Sequence, residues 1–318
     1  MIIRQEVVRR VTEYVGGSVC GTFIFFGDSK KLKLILIDKV AESFSNIERV
    51  DLIDEDFIPI DKVRYLLSFV RLKSQGLKFA IIDVDNLNIY SVNAMLKTLE
   101  EPPEGCFFFL FKEDSNILPT ILSRSIRIHV NPNTSNLLDY LVKTYYYPIN
   151  WAEFVILFTN ANFDLIEYFS MNFWNLKERK PKDDFKKILD FFMDPSRDMV
   201  FNDEFWVNNF SCFISFKLLL KLIKSLIRDI YMVNLYRSVI DENVLKMLER
   251  SFIYSKILGK EEFINKFLRY NLKYENIHSL FKEVRSIDSG MVFKRINKKI
   301  LYTCFMFKVY HFLRSIMR

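Results

Sequence analysis

Glycine and proline are scarce, with only eight of each in 318 residues. A chain so poor in the two residues that shape tight turns is not a loop-rich or many-hairpin all-β protein. Its four cysteines, Cys20, Cys106, Cys212 and Cys304, form no Cys-x-x-Cys pair, so neither a zinc module nor a disulfide framework is indicated and no metal is expected. Long uncharged runs are missing too. The densest apolar stretch, Phe210 to Ile230, is broken by Lys217, Lys221, Lys224 and Arg228, whereas a transmembrane helix needs about 20 predominantly apolar residues. The opening ten residues are polar and no secretory leader follows, so no membrane partner is expected and the expected location is cytoplasmic. His129, His278 and His311 stand apart from any serine and aspartate with triad character, which leaves nucleophilic hydrolysis without candidates.

Apolar bulk, in contrast, is abundant. Half the residues are hydrophobic and 32 are Phe, enough for two or three cores at this length. Charge is unevenly placed. Residues 291–318 hold Lys294, Arg295, Lys298, Lys299, Lys308, Arg314 and Arg318 with no Asp or Glu, which accounts for the whole formal excess of +7. Such a tail fits phosphates or an acidic partner; the plainer reading is the solvated face of a terminal amphipathic helix with Ile296, Ile300, Cys304 and Phe307 inward.

The first 130 residues alternate strand-like and helix-like segments, which predicts a parallel sheet flanked by helices. Strands are expected at 22–26, 47–53, 78–83, 106–111 and 126–130, and helices at 31–44, from Pro59, from a Ser91 cap to Pro102, and around Pro119. Beyond Asn131 helical periodicity dominates. The expected organisation is an α/β domain over 1–130, a small helical lid over 131–200 and an all-α collar over 201–318. Lys177 to Lys187 reads as a linker or turn, and Glu204 to Arg237 as a continuous helix in a bundle.

Where the first strand ends, a phosphate loop would run Gly, four residues, Gly, Lys, Ser or Thr, because its amides wrap phosphate and its hydroxyl holds magnesium. The register here is Gly27-Asp-Ser-Lys-Lys-Leu32-Lys33-Leu34. Leu32 replaces the second glycine and Leu34 the hydroxyl, so only Gly27 and Lys33 survive. Asp83, at the tip of Ile81-Ile-Asp83, has the place of a magnesium-holding carboxylate, yet the neighbour that would polarise water is Val84. Two losses in one site predict a vestigial loop, no bound cofactor and no hydrolysis by this chain.

With Ile81-Ile-Asp83 stand Asn93-Ala-Met-Leu-Lys-Thr-Leu-Glu-Glu-Pro-Pro103 and Leu118-Pro-Thr-Ile-Leu-Ser-Arg-Ser125. On these words the N-terminal region resembles the AAA+ domain of bacterial clamp loaders, in particular the delta-prime family of DNA polymerase III subunits. Ile60-Asp-Lys-Val-Arg64 and Leu226-Ile-Arg-Asp-Ile230 are weaker echoes. The resemblance implies a hetero-oligomeric ring with gamma/tau-like ATPase subunits and a delta-like subunit, acting on a sliding clamp and primed DNA. It implies that Arg124 is an arginine finger, reaching nucleotide on a neighbouring subunit, where a guanidinium stabilises charge developing on a γ-phosphate. Ser125 replaces the family's usual Cys, and the four-cysteine zinc module of many relatives is absent between Phe44 and Pro59. Lys97, off the Met95 and Leu99 face, is a candidate for the DNA backbone, with a solvated lysine as the bland alternative. Two other readings stay open: an ATP-hydrolysing motor subunit of the same ring, and a stand-alone nucleic-acid binder that uses the basic tail.

Overall fold

In the computed structural model, residues 2–53, 57–113, 119–195, 197–200, 202–210, 213–236, 253–258, 270 and 298–316 are described. They divide into two compact units, 1–136 and 137–318.

The first unit opens with helix α1 (Gln5–Gly17), then strand β1 (Gly21–Phe26), α2 (Lys30–Ala41), β2 (Ile47–Leu52), α3 (Ile60–Arg71) and β3 (Leu77–Asp83). After a single 3-10 turn at Val84–Asn86 come α4 (Ile89–Glu100), β4 (Cys106–Lys112), the short α5 (Pro119–Leu122) and β5 (Ile126–His129). The five strands form one parallel sheet in the order β2-β3-β4-β1-β5. Central β1 and β4 are apolar on both faces and buried along nearly their whole length, as strands covered by helices on both sides must be. One face carries Ile24, Ile82, Phe108 and Leu110 against Val63, Leu66, Met95 and Ile121 of the helices. The other is aromatic: Phe109 stacks on Phe23 at 5.4 Å and meets Phe79 edge-on at 5.0 Å, while Tyr14 of α1 packs edge-on against Phe23. The expected parallel α/β arrangement is therefore present, with helices dominating the second unit.

Several local expectations need correction. Ser91 does not cap α4. Asn88 does, its Oδ1 accepting from the Ser91 N–H at 2.8 Å, and the Ser91 hydroxyl is buried without a hydrogen-bond partner among the described residues. Pro59 stands at the cap of α3 and Ile60 begins the helix.

The described residues of the second unit are largely helical: α6 (Thr134–Tyr145), α7 (Ile149–Phe158), α8 (Phe163–Asn172), α9 (Asp183–Met193), α10 (Arg197–Val200), α11 (Asp203–Phe210), α12 (Phe213–Tyr236) and α13 (Lys298–Ile316). The stretch expected as a linker is instead a two-strand hairpin, β6 (Trp174–Asn175) with β7 (Lys180–Pro181), joined to α9. Its Pro181 is buried, and Phe185 of α9 sits edge-on to Phe169 at 4.7 Å; aromatic packing outweighed the charged composition that suggested an exposed segment. The long run from Glu204 is two helices, α11 and α12, and Arg237 lies outside the described residues. On α13 the inward residues are Phe305, Met306, Val309, Leu313 and Ile316, while Phe307 is 37% exposed. Of the expected inward residues, Phe307 is thus not one. Ile296, Cys212, His278, Lys294 and Arg295 lie outside the described residues, as do the side chains of Ile300 and Cys304.

Among the described residues no helix is long and apolar enough to cross a membrane, and no group of three or more His, Cys, Asp or Glu is placed to hold a metal ion.

Candidate interface and nucleotide-loop site

The carboxyl edge of the sheet gathers Gly27, Lys33 and Asp83, each delivered by the end of a strand or the start of a helix. Gly27 has φ +142°, and a Cβ there would come within 2.6 Å of the Val130 carbonyl oxygen, so the position admits only glycine. Immediately after it the chain enters α2. Ser29 caps that helix, its Oγ accepting from the Leu32 N–H at 3.0 Å, and the Lys33 N–H turns back to the Ser29 carbonyl at 3.4 Å. Amides that a phosphate cradle would aim outward are thus spent inside the first turn. Leu32 is fully buried, which anchors this turn to the core.

The two charged survivors are also engaged. Lys33 is 1% exposed, and its ammonium donates to the Lys112 carbonyl at the end of β4, 2.8 Å away. The same carbonyl accepts the Gly27 N–H at 3.1 Å. Asp83, also 1% exposed, pairs with Lys30 and accepts from the Asn86 side-chain amide at 2.9 Å and the Asp85 N–H at 3.1 Å. A buried carboxylate needs such partners to remain charged. Asp85 faces a different way, pairing with Lys112 and accepting from the Glu113 N–H. A magnesium ion held by Asp83 would have to displace the Lys30 ammonium.

Arg124 lies just beyond α5 and belongs to a different set. Its Nη1 donates to the Thr120 carbonyl at 2.7 Å and to Ser123 Oγ at 3.3 Å, while Nη2 donates to Glu100 at 2.9 Å. Its Nε–H is buried and has no hydrogen-bond acceptor among the described residues. Glu100 is the last residue of α4, one turn beyond the exposed Lys97. The structure therefore brings Gly27, Lys33 and Asp83 together at one end of the sheet, and joins Arg124 to the end of the helix that carries Lys97.

Two participants were not foreseen, Lys30 as the partner of Asp83 and Ser29 as the cap of α2; the pair of Arg124 with Glu100 is the plainer reading of that residue, a surface arginine on a local carboxylate. Ser29, three residues before Leu32, had a readable capping signal. The two ion pairs had none, since 53 and 24 residues separate the partners. Cys20 and Cys106 are free thiols, and burial pushes the Cys106 thiol up to about 12, which removes it as a nucleophile at neutral pH.

Comparison with known proteins bears on the same segment. Residues 30–134 match the family described as DNA polymerase III, delta subunit. The subunit tau/gamma of DNA polymerase III from Haemophilus influenzae is 41% identical over 88 residues, covering 26% of this chain and 13% of that protein. The Escherichia coli tau subunit is 41% identical over 101 residues, 29% of this chain and 16% of its own. The chain thus spans well under a fifth of the length of these relatives. A DNA polymerase III gamma subunit-related protein of Thermotoga maritima has the same fold, with a TM-score of 0.53 at 16% identity, over 98% of this chain and 99% of that one.

Proposed function

We propose that this chain, whose residues 30–134 match the family described as DNA polymerase III, delta subunit, is a clamp-loader protein, a delta-prime-like subunit that hydrolyses no ATP. It presents Arg124 to nucleotide bound on a neighbouring gamma/tau-like subunit and helps place a sliding clamp on primed DNA, in a ring that also holds a delta-like subunit. One observation carries the reading: the Asp83 carboxylate, at the position where a motor would hold magnesium, is buried and paired with Lys30 of the same chain. The internal use of the Leu32 and Lys33 amides supports it.

In this reading residues 131–200 are the lid and 201–318 the collar through which the ring assembles. Lys97, exposed on α4, meets the DNA backbone through sequence-blind, salt-sensitive contact. Arg124 stabilises charge on the neighbour's γ-phosphate, and its loss slows turnover without loss of assembly.

The second reading, a motor subunit with its own ATP site, is favoured by the tau and gamma names of the relatives. Calorimetric titration of the isolated chain with ATP and magnesium separates the two. No saturable binding up to millimolar ATP is expected; micromolar affinity would install the motor reading instead.

A further inference from the structure

We infer that Glu100 is a positioning residue for Arg124: it latches the finger within its own subunit and sets how readily that finger engages a neighbour's triphosphate. The inference rests on the arginine-finger reading and adds to it a residue and a direction of control.

The contacts around the guanidinium are unequal. Two anchors, the Thr120 carbonyl and Ser123 Oγ, come from the short stretch that carries Arg124 itself. The only carboxylate it meets among the described residues belongs to Glu100, which arrives from α4 at 2.9 Å. Meanwhile Nε–H is buried and has no acceptor among those residues, and a buried donor left unpaired disfavours the arrangement that buries it. The Glu100 charge therefore adds to the Thr120 and Ser123 bonds in holding the observed rotamer, and it is the one contact among the described residues that comes from another helix. With Arg124 28% and Glu100 56% exposed at the side chain, water and salt screen the pair, so the latch is weak enough to be exchanged.

Exchange has a chemical direction. A triphosphate terminus carries more negative charge than one carboxylate and accepts charge-assisted bonds in the same way, so it draws the guanidinium from Glu100 when presented at the subunit boundary. Until then the latched fraction of fingers is not competent, and the neighbour's apparent ATP affinity is lowered by that fraction. The latch thus acts on KM more than on kcat.

The test uses a loader reconstituted from the full chain with its tau-type ATPase subunit, and steady-state ATP turnover across ATP concentrations. Glu100→Gln, which removes the charge and keeps the shape, is expected to lower the apparent KM for ATP by roughly two- to five-fold, the range of an exposed ion pair, with kcat little changed. Glu100→Ala should do the same, and Glu101→Gln should move neither constant. In an Arg124→Ala background the Glu100→Gln effect should vanish. A KM that stays put or rises in Glu100→Gln, with Arg124→Ala slow, overturns the latch alone. Normal turnover by Arg124→Ala overturns the finger reading and the latch with it. Thermal melting of the Glu100 variants near the wild-type midpoint separates lost control from lost fold.

Discussion

Two groups of charge in the first unit make opposite use of their surroundings. At the carboxyl edge of the sheet, Lys33 and Asp83 are almost wholly buried and their partners come from β4, α2 and the turn after β3. At the end of α4, Arg124 and Glu100 meet in partial exposure, and one guanidinium N–H is left unsatisfied among the described residues. Buried charges must be matched within the fold, and once matched they are expensive to redeploy. A half-exposed pair is cheap to exchange. The first group is fixed within the scaffold, whereas the second has the freedom that the proposed contact with a neighbouring subunit requires.

The largest effect that would break this contrast is on Arg124. In a reconstituted loader, Arg124→Ala is expected to slow ATP turnover on the order of 10³-fold, the lower end for arginine fingers, with assembly by gel filtration unchanged. The same substitution should leave the stability of the isolated chain nearly unaltered.

The second unit supplies a buried carboxylate with no lysine partner among the described residues, which sharpens what Lys30 does for Asp83. Asp229 of α12 is fully buried, accepts from the Tyr254 N–H at 2.8 Å and has Arg228 only at 3.6 Å, with Oδ1 lacking a hydrogen bond. Burial pushes its pKa up to about 7. A folded-state value above the unfolded one means the fold binds the extra proton. Stability from this group is complete below about pH 4 and is lost as pH rises through about 7. Asp229→Asn, which mimics the protonated acid, should therefore stabilise the protein at pH 8 by an amount on the order of 2–4 kcal/mol. The gain should close as pH falls toward about 4, read as unfolding midpoints across that range.

Asp83→Ala tests the locked group directly. It removes the acceptor for Lys30, Asn86 and the Asp85 N–H, and is expected to cost about 2–3 kcal/mol in urea unfolding. A near-neutral result would mean the pair is not part of the scaffold. The smallest effect belongs to α4. Because the Ser91 hydroxyl already lacks a partner among the described residues, Ser91→Ala should change stability by less than about 1 kcal/mol; if Ser91 capped the helix, the loss would exceed that.

Much of the first unit was legible in residue order alone. The apolar words at 23–26, 79–82 and 106–111 read as buried strands, and the helices between them follow from apolar spacing. Legibility fell in the second unit, where Trp174, Pro181 and Phe185 turn a charged stretch into a hairpin and a helix. The candidate site divides in the same manner. Leu32 and Leu34 in the loop, and Arg124 after its helix, are visible one by one. What answers Asp83 and Arg124 is not.

By itself, then, the amino-acid order determined the strands and helices of the α/β unit, the loss of the phosphate-loop residues and the position of an arginine beyond α5. These depend on neighbours within a few residues, where backbone geometry imposes fixed periods. Only the tertiary structure decided that Lys30 answers Asp83, that Glu100 holds Arg124, that Asn88 rather than Ser91 starts α4, and which stripe of α13 turns inward. Partners brought together by packing across tens of residues obey no spacing rule, because the chain between them is free to vary while the contact is not.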